Sequence, residues 1–415
     1  GDWSSDVCSS DLVNPLFNLN LILMKRLFLS VAAAALLLGA CERAPEPVVQ
    51  EDDFVKTSLE VIPGQYVVLL KGDFGYVKSE MQNYEESQLA MTDITRNVLA
   101  KAGITGREPL AVYSKAVTGF AVSLSDVEVA ALEKTPNVRG IWPDMMFIMA
   151  RKPPAPVEPP AETTPPGIGR VGGGATYTGT HKAWIIDTGI DLNHPDLNVN
   201  TTLGKTFVTR TTTPEDDNGH GTHCAGIVAA IDNEIGVVGV AAGAVVVPVK
   251  VLDKRGSGAY SLIIAGVDYV AGAATAGDAV NMSLGGGVYT PIDEAVVAMA
   301  GEGLFVALAA GNESDDANNH SPARANAANI WTISACDVYD NFASFSNYGN
   351  PPIDFCAPGV SIYSTYKGDA YATMSGTSMA APHACGVLLA TGGDPATSGY
   401  VKNDPDGNPD PIIHK

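Results

Sequence analysis

Between residues 183 and 390, short apolar runs rich in β-branched residues alternate with segments that favour helix, and this alternation strongly constrains the fold. Strands that are buried on both faces of a parallel sheet read as near-continuous apolar runs. Strands that alternate with helices indicate an α/β fold, with a parallel sheet covered by helices on both faces. The predicted strands are 183–186, 244–252, 279–284, 304–310 and 330–335, and the predicted helices are 261–274, 292–300 and 377–390.

Two polar side chains follow these predicted strands at the points where the strands end. Asp187 directly follows the run 183–186, and Asn312 closely follows the run 304–310. In open α/β sheets, functional groups gather at the carboxyl ends of the strands, because the loops there meet at one edge. We therefore expect Asp187 and Asn312 to lie near the same site.

Ser378 lies in the sequence Gly-Thr-Ser-Met, at the start of the predicted helix 377–390. Small neighbours allow a substrate backbone to approach the hydroxyl, and a helix start offers N–H groups to developing negative charge. A serine hydroxyl is a weak nucleophile until a base removes its proton. His220, which lies between two glycines, is the candidate base, and Asp187 would orient its imidazole.

Each of these three residues has an ordinary structural explanation when it is taken alone. Asp187 would cap a turn at a strand end, and His220 would be a histidine of a glycine-rich loop. The order Asp, His, Ser along the chain, however, is one of those found among the convergent serine-protease triads. We therefore predict a catalytic triad of Asp187, His220 and Ser378.

With these motifs, the chain resembles the subtilisin-like serine proteases, and it is most similar to their proteinase K-like branch. The resemblance covers about residues 62–415, and its motifs are most specific within 183–390. It implies a serine endopeptidase that needs no cofactor for its chemistry and is made as a zymogen. It also implies that Asn312 stabilises the oxyanion, together with the backbone N–H of Ser378.

The resemblance further implies a cleft in which two glycine-rich segments sandwich the substrate strand, although any one glycine is as often a simple turn. Small residues would line the pocket before the scissile bond. Because no buried acidic group is evident in this pocket, we expect a broad preference for apolar and aromatic side chains. The implied substrate-binding residues are Gly256, Ser257, Gly258, Tyr260, Ser283, Leu284, Gly285, Gly286, Ala310 and Gly311.

The resemblance also implies a structural calcium site. Asp354 precedes Ser378 at the spacing of a calcium-ligand Asp in proteinase K-like enzymes. Backbone carbonyls near Ala328 and Ile330 would add oxygen ligands, which calcium prefers. The alternative is that Asp354 is a surface carboxylate without a metal.

Four cysteines lie in the predicted protease region. By the resemblance, Cys224 is the thiol that lies beneath the catalytic histidine. Cys336 and Cys356 could form a disulfide in an oxidising compartment, although the resembled family supplies none at these positions. Cys385 is expected to be a buried small hydrophobe.

Residues 62–150 form a separate predicted domain, in the order β-α-β-β-α-β. This order fits a small α+β ferredoxin-like sandwich, and it resembles the inhibitory propeptide that folds subtilisin-like enzymes and plugs their cleft. The alternative is an unrelated small domain. Residues 151–163 form a proline-rich linker, in or just before which we expect the maturation cleavage, and residues 164–415 form the catalytic domain. Because the tail after residue 390 is short, we expect the last helices of larger relatives to be missing.

The amino-terminal region predicts export. Residues 1–23 are expected to be a non-native leader. From Met24, a basic start and an apolar run up to Leu38 indicate a signal peptide, which is too short to span a membrane. The sequence Leu-Gly-Ala-Cys resembles a bacterial lipobox, so Cys41 is predicted to carry lipid, and residues 42–61 would be a tether. The alternative is an ordinary cleavage site and a secreted protein.

The chain has 415 residues, a net charge of −21 and an isoelectric point near 4.6. This charge argues against nucleic acid as a partner, and it is a common solubility device of exported proteins. We therefore expect a monomeric bacterial lipoprotein of the outer membrane, whose partners are polypeptide substrates, its own propeptide and the membrane. The rival interpretations are a non-catalytic surface protein, which would show a broken triad, and an esterase that uses the same triad.

Overall fold

The computed structural model describes residues 56–72, 83–150 and 153–415, without the side chains of residues 56 and 150. The predicted leader, signal peptide and lipobox, and the tether before residue 56, lie outside the described residues. The first strand begins at Lys56, so residues 56–61 of the predicted tether belong to a strand. No helix of the described residues is long and apolar enough to cross a membrane.

Residues 56–150 follow the predicted order β-α-β-β-α-β. Their antiparallel sheet has the strand order β4-β1-β3-β2. Both helices begin at polar caps: Asn83 Oδ1 accepts from the N–H of Glu86 at 2.8 Å, and the Glu128 carboxylate accepts from the N–H of Ser125 at 2.7 Å. The elements are β1 (Lys56–Leu70), α1 (Tyr84–Lys101), β2 (Pro109–Tyr113), β3 (Gly119–Ser123), α2 (Asp126–Leu132) and β4 (Val138–Ala150).

Residues 153–415 alternate strands and helices, as predicted. The helices are α3 (Pro166–Arg170), α4 (His220–Ala229), α5 (Tyr260–Ala273), α6 (Thr290–Gly301) and α7 (Thr377–Thr391). The strands are β5 (Ala175–Thr176), β6 (Ala183–Asp187), β7 (Asn198–Val199), β8 (Lys205–Thr206), β9 (Ala241–Ala242), β10 (Val245–Lys250), β11 (Ser257–Ala259), β12 (Ala279–Met282), β13 (Gly286–Gly287), β14 (Phe305–Ala309), β15 (His320–Ser321), β16 (Ile330–Cys336), β17 (Ile353–Pro358), β18 (Ile362–Tyr366), β19 (Ala370–Met374), β20 (Ala396–Tyr400) and β21 (Pro411–His414).

The main sheet is parallel from β7 to β21 and has helices on both faces. Its strand order is β20-β21-β17-β16-β14-β12-β6-β10-β7, and only the edge pair β20-β21 is antiparallel. Successive side chains of a strand point to opposite faces. Trp184 and Ile186 of β6 accordingly pack into one core with α5 and α6, whereas Ala183 and Ile185 pack into another with α4 and α7. The predicted α/β class is confirmed.

The sheet of residues 56–150 packs on the face that carries α5 and α6. Val67, Leu69 and Phe147 belong to the same buried core as the residues of these two helices. The hydroxyl of Tyr113 donates to the carbonyl of Ser261 in α5 at 3.0 Å. The two parts of the chain therefore share one continuous apolar interface.

Two regions differ from the sequence-based predictions. Helix α4 was not predicted, because its glycines lower helix propensity, yet all of its residues are buried and tertiary packing stabilises it. After α7, the tail returns as β20 and β21, which extend the sheet beyond β17. No strand was predicted there, because the tail is dominated by turn-forming residues.

Candidate active site

Asp187 and His220 form a buried hydrogen-bonded pair at the carboxyl edge of the sheet. Asp187 is the last residue of β6, and His220 is the first residue of α4. The Nδ1 atom of His220 lies 2.8 Å from Oδ1 and 2.9 Å from Oδ2 of Asp187, and neither side chain is exposed. An imidazole that is held by its Nδ1–H presents Nε2 as the acceptor for a proton.

Ser378, the second residue of α7, lies at the same edge. Its Oγ donates to the carbonyl of Ser283 at 3.4 Å, and its side chain is buried. The Sγ atom of Cys224 connects the two halves of the site, since it lies 4.0 Å from His220 Nδ1 and 3.4 Å from the Ser378 carbonyl. Among the described residues, His220 Nε2 has no hydrogen-bond partner. The bond between a nucleophile and its base often forms only when substrate binds.

A buried carboxylate, which the sequence analysis did not single out, holds the start of α4. Asp216 Oδ1 accepts from the Thr188 hydroxyl at 2.9 Å and from the N–H of Gly219 at 2.8 Å. Asp216 Oδ2 accepts from the N–H of Thr222 at 2.9 Å. Gly219 has a φ of 111°, a left-handed conformation that favours glycine. Asp216 therefore fixes the loop that presents His220 to Asp187.

Asn312 is held against the start of α7. Its Oδ1 accepts from the N–H of Thr377 at 2.8 Å and from the Thr377 hydroxyl at 2.9 Å. A side chain placed on Gly376 would lie 3.6 Å from both Asn312 Nδ2 and the backbone nitrogen of Ser378, and 3.7 Å from Asn312 Oδ1. The Asn312 amide and the backbone nitrogen of Ser378 therefore lie beside the same space, which Gly376 leaves open.

One predicted substrate-binding segment is occupied by the chain itself. The end of β4 pairs antiparallel with β11, with Ile148 opposite Ser257 and Phe147 opposite Gly258. The N–H of Met149 donates to the carbonyl of Gly256 at 3.1 Å. Residues 256–258 therefore bind an extended strand through backbone hydrogen bonds, as a protease cleft does.

The other predicted segment, residues 283–286, forms no strand pair with β4. Ser283 Oγ donates to the Ser378 carbonyl at 2.8 Å, and Leu284 is buried. Gly285 lies against Ser321, and Gly286 pairs with Ser321 in the β13-β15 ladder. The far edge of β4 pairs instead with residues 56–61 of β1.

Three further residues of the predicted substrate-binding set lie in packed surroundings. Tyr260 is fully buried, stacks on Tyr289 with ring centroids 4.9 Å apart, and donates its hydroxyl to the Ser321 carbonyl. Ala310 is fully buried, and Gly311 has a φ of 106°. A side chain on Gly311 would meet Glu313 and Asn347, so glycine keeps this turn open.

Glu313 is an acidic residue beside Gly311, a predicted pocket residue, and the sequence analysis missed it. Its Oε1 accepts from the Thr57 hydroxyl at 2.7 Å, and its Oε2 accepts from Asn347 Nδ2 at 2.8 Å. Glu313 directly follows Asn312, and this adjacency was the available signal. The side chain is 25 % exposed, and its Oε2 lies 3.5 Å from His320 Nδ1.

Asp354, the predicted calcium ligand, is a partly buried carboxylate. Its Oδ2 accepts from the N–H of Thr332 at 2.9 Å, and burial raises its pKa to about 6. A carboxylate that is destabilised by burial gains from a nearby cation. Asp187, His220 and Cys224 form the one group of three metal-ligating side chains found among the described residues, and it coincides with the candidate triad.

The disulfide that Cys336 and Cys356 could form is absent. These residues lie on the neighbouring strands β16 and β17 and share a small apolar cluster, and both are reduced thiols. Burial and the neighbouring Cys336 raise the pKa of the Cys356 thiol. Cys385 is buried in α7, and burial raises the pKa of its thiol as well.

Two buried carboxylates join residues 56–150 to α5. Asp268 accepts from the N–H groups of Ser114, Lys115 and Ala116 at 2.9, 2.6 and 2.8 Å. Burial raises the pKa of Asp268 to about 6. Asp144 of β4 accepts from the N–H of Ser261 at 3.0 Å, in the first turn of α5. Burial also raises the pKa of Asp144.

Known proteins share this arrangement of two domains. The model of the subtilase family matches residues 184–391, and that of the peptidase inhibitor I9 family matches residues 65–148. An extracellular serine proteinase of Thermus sp. is 36% identical over 374 residues, which are 88% of this chain and 89% of that protein. Proteinase R of Parengyodontium album is 33% identical over 376 residues, which are 85% of this chain and 87% of that protein.

A solved structure agrees with these matches. The crystal structure of a cold adapted subtilisin-like serine proteinase is 33% identical to this chain, with a TM-score of 0.53. It corresponds to 60% of this chain and to 98% of the solved one. The predicted family, fold class and enzyme class are thereby confirmed. The chain belongs to the subtilase family, as a serine endopeptidase of the subtilisin and proteinase K type that is preceded by an I9 inhibitory prodomain.

Proposed function

We propose that the chain hydrolyses peptide bonds with Ser378 as nucleophile, His220 as general base and Asp187 as the orienting carboxylate. The observation that carries this proposal is the buried Asp187–His220 pair, which Cys224 links to the backbone of Ser378. Ser378 Oγ would attack the substrate carbonyl carbon while His220 Nε2 takes the hydroxyl proton. His220 would then return this proton to the leaving amine, and water would release the acyl group in the same way.

The negative charge that forms on the substrate oxygen needs donors that are already in place. Asn312 Nδ2 and the Ser378 N–H, which converge beside Gly376, would supply them. The Asn312–Thr377 hydrogen bonds hold the amide before substrate arrives, so no reorganisation is required during the reaction.

A covalent label tests the assignment of the nucleophile. A fluorophosphonate probe should label Ser378 in the matured enzyme, and the Ser378→Ala variant should be neither labelled nor self-processed. Ser375→Ala is the matched control, because Ser375 Oγ accepts from the N–H of Ser361 and lies outside the proposed chemistry. Labelling that persists in Ser378→Ala, with digestion of casein, would refute the assignment.

The proposed preference is for apolar and aromatic residues before the scissile bond. The support is the strand that already occupies the cleft: Phe147 and Met149 are buried in the same apolar core as Tyr260 and Leu284. Glu313, which is partly exposed beside Gly311, would add repulsion against acidic side chains. Peptides that differ only before the scissile bond should show kcat/KM at least about tenfold higher for Phe than for Glu. Equal rates would contradict the preference.

We also propose self-cleavage in, or just before, the linker 151–163. Met149 lies against Gly256 on one side of the catalytic site, whereas Val157 pairs with Tyr371 on another strand. The prodomain is therefore bound like substrate up to the edge of the site. Amino-terminal sequencing of the matured enzyme tests this, and a mature terminus before residue 145 or after residue 163 would contradict it.

Export and lipid anchoring are proposed from the signal-like sequence at 24–41 and from Cys41. One relative is named as extracellular, which supports export. Metabolic labelling with palmitate should mark the wild type and not Cys41→Ser. Export of an unlabelled wild type would favour the secreted alternative.

Calcium is proposed as a structural ligand held by Asp354 with the backbone carbonyls of Ala328 and Ile330. The partly buried carboxylate, whose pKa burial raises to about 6, supports a cation there. Bound calcium would neutralise Asp354 and brace the start of β16. Calcium should raise the melting temperature of the Ser378→Ala protein and have little effect when Asp354→Asn is added. An equal rise in both proteins would place the ion elsewhere.

A further inference from the structure

The strand that fills the cleft is covered on both of its edges. On one edge, the end of β4 pairs with β11 of the protease domain. On the other edge, it pairs antiparallel with the first six residues of β1, from Lys56 opposite Ala150 to Val61 opposite Met145. We call Lys56–Val61 the arm. It lies upstream of residues 65–148, which match the inhibitor family.

The arm contacts the protease domain as well as β4. Leu59 is opposite Phe147 and packs against Gly286, where an added side chain would come within 2.9 Å of Leu59 Cγ. Thr57 is opposite Met149 and donates its hydroxyl to Glu313 Oε1 at 2.7 Å. The side chains of Ser58, Glu60 and Val61 are exposed, whereas Thr57 and Leu59, two residues apart, lie on the side of the protease.

These contacts have the chemistry of a fitted interface. Gly286 and Gly287 carry no side chains, and the space that they leave accepts Leu59. Leu59 packs against the large core that also contains Phe147 and Tyr260. Glu313, at the end of the same surface, accepts the one hydroxyl that the arm directs toward the protease. The cleft is therefore two strands wide in the zymogen.

We propose that the arm is a second inhibitory strand, and that the cleft is a binding site for a two-stranded antiparallel ribbon. This inference rests on the proposed function, because the occupied cleft must be that of a protease. Substrate that enters as a single strand competes with a ligand whose second strand also contacts Gly286 and Glu313. The chemical class of the preferred inhibitor is thus a β-hairpin whose second strand carries a branched apolar residue opposite the aromatic residue of the first.

Self-processing of the full chain gives the first test. After self-cleavage, activity appears at the rate at which the prodomain leaves the cleft. Leu59→Ala should raise this rate about tenfold, and Thr57→Val by a smaller factor. Val61→Ala is the matched control, because the Val61 side chain is 57% exposed, and it should change the rate by less than about twofold.

The final activity per mole of labelled Ser378 shows whether each variant has folded. If Leu59→Ala folds correctly and its prodomain leaves the cleft no faster than that of Val61→Ala, the proposal is overturned. A wild-type chain that neither becomes labelled at Ser378 nor cleaves peptides would instead count against the proposed function.

Inhibition of the matured enzyme gives the second test, and it does not depend on how the variants fold. The probes are a linear peptide of residues 143–150 and a cyclised ribbon that joins residues 56–61 to 145–150. The ribbon should inhibit at least about tenfold more tightly than the linear peptide. A ribbon with Leu59→Ala has the same preorganisation but lacks the contact between Leu59 and Gly286. It should therefore lose most of this gain. Equal inhibition by the two ribbons would overturn the proposal.

Discussion

Replacement of Asp268 should affect release of the prodomain in a way that depends on what replaces it. The carboxylate lies in α5 and accepts three backbone N–H groups, from Ser114, Lys115 and Ala116, at 2.6 to 2.9 Å. Asp268→Ala leaves these donors without their acceptor. A buried donor that loses its partner costs about 1–3 kcal/mol, so the loss is at least about 3 kcal/mol, or roughly a hundredfold in prodomain affinity.

Asp268→Asn should be far milder, because the amide oxygen can still accept hydrogen bonds. Burial raises the pKa of Asp268 from 3.8 to about 6, in spite of the hydrogen bonds that the carboxylate accepts. In the zymogen, the neutral form of this side chain is therefore favoured over the charged form. A neutral amide that keeps an acceptor in the same place should leave affinity within about tenfold of wild type.

The assay is the rate at which peptidase activity appears after self-cleavage of the purified full chain, since affinity differences of related complexes lie mostly in dissociation. Asp268→Ala should release the prodomain roughly a hundredfold faster, and Asp268→Asn less than about tenfold faster. Gln88→Ala is the matched control, because Gln88 Nε2 also donates to Asp268, at 3.1 Å, from the partly exposed α1. An Asn variant as fast as the Ala variant would refute the reasoning, since the charge would then be the source of affinity.

Three further outcomes are expected. Asn312→Ala should lower kcat by about 10²–10³, the size known for this donor in a subtilisin, at nearly unchanged KM; a raised KM with unchanged kcat would instead place Asn312 in substrate binding. Mercurials should inhibit slowly through Cys224, whose buried Sγ lies 4.0 Å from His220 Nδ1, and Cys224→Ala should stay active and become insensitive; equal inhibition of both enzymes would point to another thiol. Burial raises the pKa of Asp410 from 3.8 to about 7, so its stabilising contribution is complete below about pH 4 and is lost as pH rises through 7. Between pH 5 and 8, the melting temperature of Ser378→Ala should therefore fall less when Asp410→Asn is added. An equal fall in both proteins would contradict this.

Much of the site could be proposed from local sequence because the chemistry restricts the residue types. Asp187 follows a buried strand, and Ser378 begins an apolar helix among small residues. These positions follow from short-range patterns, and the sheet then brings the two strand and helix ends together. His220 was found by its glycine neighbours, although the helix that it begins was not. In α4, burial of every residue outweighs the propensity cost of its glycines.

Other parts of the site could not be proposed from local sequence, because they depend on long-range contacts. In the sequence, Glu313 is one acidic residue among many. Only the structure shows that the hydroxyl of Thr57, far upstream in the chain, donates to it. From the sequence, Cys336 and Cys356 could form a disulfide. In the structure they lie on adjacent parallel strands, and both are reduced thiols packed among apolar side chains. The polar tail became β20 and β21 only because the edge of β17 offers hydrogen-bonding groups.

The sequence by itself determined the family, the α/β class and the order of the prodomain elements, and it predicted the residues that we propose for acyl transfer. Periodicity sets which residues are buried, and the reactive groups must be of particular types, so both can be recognised without coordinates. Only the tertiary structure decided what lies in the cleft. Residues 56–61 read as a polar tether, yet they become a strand because β4 has an unpaired edge and Gly286 leaves room for Leu59. Strand pairing is a property of two distant segments, and neither segment alone specifies its partner.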